Sequence, residues 1–477
     1  RNRPGGRVYT MPLEGGGCSG AADLGGSIIT GTDGNPLAVL ARQMQIPMHV
    51  ISDNTPLYLD GGREADAEDD QRAMKQHDAI LDLCDQYRED IGATADLLSV
   101  GTAFDTLVSE LPPLEDAAKQ AMRSHLLDWH MANMEFASAA RLDTLSLRSW
   151  DQDDVHEMLG DHVFLPGGNV RLVEGLLRGV PVMYNAVAER IEYGAPAGAS
   201  AGGGNAAGSG GGAAANGGGA ASSSGGGGVT VHASTGVFSA DAVVVTVPLG
   251  VLKRGALAFE PPLPEKKQGA IQRLGFGLLN KLVLLFPAPF WDTSVDMFGH
   301  VSTSGDSSER GLFYLFYLYH GLSGGAVLAA LVAGEAAHAF ESMPIDAATE
   351  RVMRVLREIH EPKGVSVPQP LQVVATRWGS DPLAFGSYSS VAVGCEGGDD
   401  YDAMAEPVAG RVFFAGEATS RKWPATMHGA FASGLREAAR IACAARAAHR
   451  TKRGDDGETQ RESSSSSSSG GSSGRSG

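Results

Sequence analysis

The chain is poor in aromatic residues, at 6%, and in positive charge, with 38 Lys or Arg against 56 Asp or Glu. It has only four cysteines in 477 residues. Each shortage excludes something. Cys18, Cys84, Cys395 and Cys443 lie far apart without metal-ligand spacing, which argues against a disulfide framework and suggests a reducing compartment. The net charge of −18 disfavours nucleic-acid phosphates and favours cationic partners. No apolar run reaches the roughly 20 residues a membrane helix needs. With 23 prolines and no G-X-Y period, collagen is excluded.

Glycine, by contrast, is abundant: 64 of 477 residues, about 13% where roughly 7% is usual. Residues 194–228 hold 16 and the tail 463–477 holds 4, leaving 44 in the other 427. The first stretch reads as a long flexible hairpin loop, and 451–477 as a disordered Ser/Gly-rich tail. With 43% hydrophobic residues, the remainder suits a glycine-using α/β enzyme core of about two domains.

Periodicity predicts helices over 35–50, 64–92 and from about 114 through LLDWHMANMEFA. It also predicts helices over 345–359 and 428–450. A strand pair is expected at PVMYNAVAERIEYG and GVTVHASTGVFSADAVVVTVPLG. KLVLLF (281–286) reads as a buried strand. AVLAALVAG (326–334) is a strand or a short helix, and RVFFAGEAT (411–419) is a strand running into a loop.

GSGGGA (208–213) matches GxGxxA but sits inside the low-complexity stretch and carries no weight. RPGGRV is more telling. Two glycines before Arg7 let backbone approach an anion that a guanidinium can clamp. The FFAGE strand ends in a carboxylate and a helix starts about ten residues later, the place where a cofactor lies in an open α/β sheet.

RxRPGGRV, ADLGGSIITGTDGNP, LSLRSWDQDD, VPLGVLK, LGFGLLNKLVLLF, LVAGEAA, TRWGSDPLAFGSYS, FFAGEAT and PATMHGAFASGLREAARIA occur in this order. Together they resemble the flavin amine oxidase superfamily. Within it they are most similar to the flavin-dependent lysine-specific histone demethylases, plant flowering-locus D type. The resemblance spans about 1–450 apart from the insert. It implies an α/β, two-domain fold. A Rossmann-like FAD-binding domain comes from 1–51, 157–277 and 397–450. A mixed-sheet and helical substrate domain comes from 52–156 and 278–396. The family's first strand, its GxGxxG turn and its N-terminal SWIRM module are not in this sequence, so it is expected to be a fragment whose own hold on FAD is open. The helical hairpin of animal members is also missing, so docking to a corepressor-type chromatin complex is not implied.

The resemblance further implies a set of site residues. Arg1, Gly5, Gly6 and Arg7 match the FAD-contacting segment. Ser27, Ile28 and Thr30 match positions at the flavin, and Val187 a backbone contact to adenine. Glu417 matches a carboxylate on ribityl or ribose hydroxyls. Thr426 and Met427 match the flavin's pyrimidine end, where the last helix turns its positive end toward the ring. Lys281 matches the catalytic lysine that holds a water at flavin N5; read alone, it is a strand-edge lysine snorkelling outward. Trp378 and Tyr388 match aromatic positions near the flavin and the amine, where cation–π attraction operates. Thr426, in place of a tyrosine of small-amine oxidases, leaves room for a lysine side chain on a peptide. Asp151, Asp153, Asp154 and His162, with Phe136 and Ala137, match contacts to the basic histone H3 tail. Read alone, that acidic run is a solvated face.

The implied activity is that of a flavoprotein oxidoreductase and chromatin regulator in the nucleus. It would demethylate mono- or dimethyl-lysine, most simply at the fourth position of H3, releasing formaldehyde and hydrogen peroxide. A polyamine oxidase, or a chromatin scaffold without FAD, are the alternatives. No metal, membrane or direct nucleic-acid partner is expected.

Overall fold

The structure is a computed structural model that describes residues 1–194 and 228–465, backbone only from 447 onward. The glycine-rich insert, apart from its end residues 194 and 228, lies outside the described residues, and so does the end of the tail.

The largest sheet has six strands in the order Gln372–Ala375, Asn280–Phe286, Ala326–Val332, Leu312–Leu318, Met297–Val301 and Leu57–Leu59. Its pairs are antiparallel except the last, which is parallel. Every residue of Asn280–Phe286 and of Ala326–Val332 is buried, because both faces of the sheet are covered. That is why these segments read as unbroken apolar runs, and it resolves 326–334 as a strand. Side chains alternate between the faces. Leu282, Leu284 and Phe286 face a core that includes the helix Ile345–His360. Val283 and Leu285 face Leu13 and Ala22 of the N-terminal hairpin, Thr10–Gly15 with Cys18–Asp23. Lys281, two residues before Val283, is on that second side.

A second core gathers around the parallel pair Val243–Val245 and Val412–Phe414. Beside it lies a four-stranded sheet in the order Ala258–Glu260, Ala188–Tyr193, Val229–Ala233 and Gly236–Ala240. The expected second strand region is therefore three strands, since the chain turns back after Ala233. Helices Glu265–Arg273 and Gly398–Ala405 pack together on this side.

Ala67–Ile91 and Ala117–Ser138 form as expected. Asp66 and Asp116 each accept two amide N–H groups from the first turns, a cap contributing about 1 kcal/mol. Val100–Ser109, capped by Ser99, packs with them and was not foreseen. The helix expected over 35–50 is shorter: it spans Pro36–Gln43. Gln45 turns to φ +57° and Pro47 follows, so the chain leaves the helix, and His49–Val50 pairs with Val163–Phe164. The last helix runs Met427–Ser465, past the expected end at 450.

Candidate functional site

Lys281 is 3% exposed, so the outward-snorkelling reading fails. Its ammonium donates to the carbonyls of Asp23 (2.9 Å) and Gly25 (2.8 Å) and to Ser27 Oγ. Burial lowers its pKa to about 8, with nearby Asp23 opposing the fall. Trp378 Nε1 donates to the Leu24 carbonyl at 3.2 Å. Asn169 Nδ2 donates to the carbonyls of Gly26 (3.2 Å) and Ser27 (2.9 Å). Each carbonyl from Asp23 to Ser27 is thus held by a side chain from elsewhere in the fold. Gly26 also lets this loop close on the last helix, because a Cβ there would lie 2.8 Å from Met427 Sδ. Thr426 Oγ1 accepts from the Gly429 amide at 2.9 Å and caps that helix. Ile28 pairs with Phe164, and Thr30 is exposed.

The second grouping surrounds Glu417, which is 4% exposed. Arg7 Nη1 donates to Glu417 Oε1 at 2.7 Å and to the Ser387 carbonyl at 2.9 Å. Glu417 Oε2 accepts from Ser389 Oγ (2.5 Å) and from the Ala425 amide (2.9 Å). Gly5 and Gly6 take φ +85° and +59°, and a Cβ on Gly5 would lie 2.2 Å from the Val8 carbonyl oxygen. This tight turn delivers Arg7. A cavity opens between Arg7, the strand ends at Val245 and Phe414, and Gly416, Ala418 and Thr419. A guanidinium and a glycine-bearing loop at the carboxyl ends of two parallel strands suit an anionic dinucleotide, so these residues fit FAD.

Arg1 and Val187 stand apart from both groupings. Arg1 pairs with Asp381 at 2.7 Å, and its carbonyl accepts from Asn185 N–H at 2.8 Å. The Val187 amide donates to Ser234 Oγ (3.0 Å), and its carbonyl accepts from Ser234 N–H (2.8 Å).

On the third side, Tyr388 Oη donates to the Phe136 carbonyl, joining two expected pocket residues, while Ala137 is exposed. The acidic loop is tethered at both ends. Arg88 Nη1 donates to Asp151 at 2.7 Å. Gln152 Nε2 donates to the Arg421 carbonyl (3.0 Å), and Trp423 Nε1 to that of His156 (2.8 Å). Asp151 is therefore already paired. Asp153 has no ion pair among the described residues: burial, helped by Asp154, pushes its pKa up to about 6. Asp154 is exposed as a residue, but its carboxyl is partly desolvated, and this with the neighbouring charge of Asp151 raises its pKa. His162 Nδ1 accepts from Gly31 N–H at 2.9 Å.

Sequence reasoning missed Asp23, Asn169, Ser387, Ser389 and Arg88. Asp23 stood inside the ADLGG motif, and Asn169 follows PGG at a helix start, a cap-type signal. Arg88, in a helix crowded with charge, gave none. Among the described residues no Cys/His/Asp/Glu group is arranged to hold a metal, and no helix is long and apolar enough to cross a membrane.

Comparison with known proteins places these motifs. The model of a family described as "Flavin containing amine oxidoreductase" matches residues 1–211 and 220–442. The chain is 48% identical over 443 residues to rice (Oryza sativa subsp. japonica) lysine-specific histone demethylase 1 homolog 3, covering 92% of this chain and 50% of the relative. It is 47% identical over 456 residues to Arabidopsis thaliana protein FLOWERING LOCUS D, covering 95% and 53%. The chain thus spans about half the length of these curated relatives. A solved putrescine oxidase shares the fold at a TM-score of 0.64 and 18% identity, covering 93% of this chain and 92% of that one.

Proposed function

The chain belongs to the flavin containing amine oxidoreductase family, and on that premise we propose that it demethylates mono- or dimethyl-lysine on histone H3, at the fourth position of the tail. The observation that carries the reading is Lys281, buried and held in the Asp23–Ser27 loop, in a chain whose curated relatives are named as lysine-specific histone demethylases. The two-domain α/β fold and FAD follow from the family.

Arg7, the Gly5–Gly6 turn, the Glu417 loop and the start of the last helix would hold FAD. When bound, FAD would supply the acceptor for hydride from the N-methyl carbon and the route of the electrons to dioxygen, as hydrogen peroxide. Trp378 and Tyr388 offer aromatic faces to the amine, and the buried setting favours its uncharged form. Loss of hydride leaves an imine that water splits into formaldehyde and the less-methylated lysine. A trimethyl-lysine has no lone pair to form that imine and is inert. Asp153 and Asp154, with His162, face the incoming basic tail, whereas Arg88 takes the charge of Asp151. Chromatin association in the nucleus follows from such a substrate.

The test uses the flavin-loaded protein with mono-, di- and trimethyl-H3 peptides and with spermine, reading peroxide and formaldehyde. Turnover of the mono- and dimethyl peptides alone is expected. Turnover of spermine without the peptides would assign a polyamine oxidase, and turnover of the trimethyl peptide would overturn the mechanism.

A further inference from the structure

Asp23 has a carboxylate that the chemistry above leaves without a role. It is 2% exposed and lies at the end of the strand Cys18–Asp23, where the Lys281 loop begins. Thr10 Oγ1 donates to its Oδ1. The Asn169 amide donates to Oδ1 at 3.1 Å and Asn169 Nδ2 to Oδ2 at 3.0 Å. Thr10 Oγ1 in turn accepts from the Val170 amide at 3.0 Å. The carboxylate is therefore held by neutral groups, with its own main-chain carbonyl on the Lys281 ammonium.

We propose that Asp23 is a positioning residue: it supplies the buried counter-charge that keeps Lys281 protonated and locked in the loop facing the flavin. The flavin-facing role rests on the function proposed above; the coupling of the two charges does not. Two acceptors of the ammonium are neutral carbonyls and the third is a hydroxyl, so hydrogen bonds alone leave a buried positive charge uncompensated. Asn169 completes the device, since one side chain bonds both the Asp23 carboxylate and the Gly26 and Ser27 carbonyls.

The other titratable groups near the pair are Tyr317, whose ring centroid is 5.7 Å from Lys281 Nζ, and Tyr319, whose hydroxyl reaches Ser27 Oγ at 3.5 Å. Tyr388 lies next to Tyr317. Burial raises all three phenols, so they stay neutral at working pH. Burial pushes the Asp23 carboxyl up to about 6 and Lys281 down to about 8, so both are charged between these values.

The experiment is a double-mutant cycle of Asp23→Asn and Lys281→Met, reading the melting temperature of the whole chain from pH 5 to 9.5. The coupling should be present near pH 7 and lost at both ends. In Asp23→Asn, the Lys281 midpoint should move to lower pH by about 1–3 units, the effect of removing one close opposite charge. Coupling that is zero, or flat with pH as a merely structural contact would give, overturns the proposal. If Asp23→Asn does not fold, Asn169→Ala serves: losing a donor to the carboxylate should raise the acid edge of the window, and an unmoved edge overturns it. Flavin absorbance separates the two claims. A coupling window in protein that binds no flavin keeps the charge coupling and removes the flavin-facing role.

Discussion

Replacing Glu417 should test how the second grouping is held together. Its carboxylate is buried and accepts from Arg7 at 2.7 Å, from Ser389 Oγ at 2.5 Å and from the Ala425 amide at 2.9 Å. Glu417→Ala leaves a guanidinium without its ion partner and strands two further donors. Breaking one side of a buried pair costs about 3–5 kcal/mol. Arg7 keeps its bond to the Ser387 carbonyl and its side chain is 21% exposed, which favours the lower end of that range. Glu417→Gln keeps the volume and one oxygen acceptor, so it should cost less, about 1.5–3 kcal/mol, the worth of a charge-assisted bond. The half-exposed pair Arg351–Glu309 is the control; breaking it should cost below about 1 kcal/mol. Urea unfolding of the three variants gives the order directly. Hydrogen exchange adds locality: amides from Ala425 into the first turn of the last helix should lose protection in Glu417→Ala, while those of Asn280–Phe286 keep theirs. A cost for Glu417→Ala below about 1 kcal/mol, or loss of protection spread evenly over both regions, would refute the reasoning.

Leu284→Ala, at a fully buried strand position, should cost about 2–5 kcal/mol in urea unfolding. Thr426→Ala removes the cap on the Gly429 amide and should cost about 1 kcal/mol, read as a lower melting temperature. Burial lowers the pKa of His360 to about 4, so the unfolded chain takes up that proton first as the pH falls. Stability should therefore drop between pH 6.5 and 4, and His360→Phe should flatten this part of the acid limb in a pH series of melts. Arg88→Gln frees the charge of Asp151 and should tighten binding of a basic H3-tail peptide by less than about tenfold at low salt, with the gain fading as salt rises.

The strands Asn280–Phe286 and Ala326–Val332 were legible because a sheet covered on both faces writes itself as an unbroken apolar run. The helix Ala67–Ile91 was legible because one face is polar throughout and Asp66 marks its start. The segment 35–50 misled because its apolar spacing continues past Gln45, where the backbone leaves the helix, and nothing local announces that His49–Val50 has a strand partner at Val163–Phe164 more than a hundred residues on. The site divides in the same way. The glycine turn, the AGE loop and the start of the last helix are short motifs that carry their geometry with them. The partners of Asp23 and Asp151 are not, since Thr10, Asn169 and Arg88 reach them only through the tertiary fold.

The two lysines buried among the described residues show where sequence reading of a charged residue ends. Lys267 sits in EKKQ, in the helix Glu265–Arg273, and Lys281 opens the apolar run KLVLLF, where alone it reads as a strand-edge lysine. Both are buried, at 2% and 3% exposure. Lys267 donates to the carbonyls of Ala403 and Met404, each at 2.7 Å, and its ammonium lies 4.1 Å from the Phe414 ring centroid. It thus closes the carboxyl end of the helix Gly398–Ala405, where a positive charge meets the negative end of the helix dipole. Burial lowers its pKa to about 7. A buried lysine with a depressed pKa is therefore no sign of chemistry by itself, because a helix end can hold one. What sets Lys281 apart is its surroundings. Its acceptors lie in a loop that also meets Trp378, Asn169 and the first turn of the last helix, and a carboxylate is buried beside it. Stability measurements separate the two roles: the Lys267 contribution should not depend on Asp23, whereas that of Lys281 should change with the charge of that one residue.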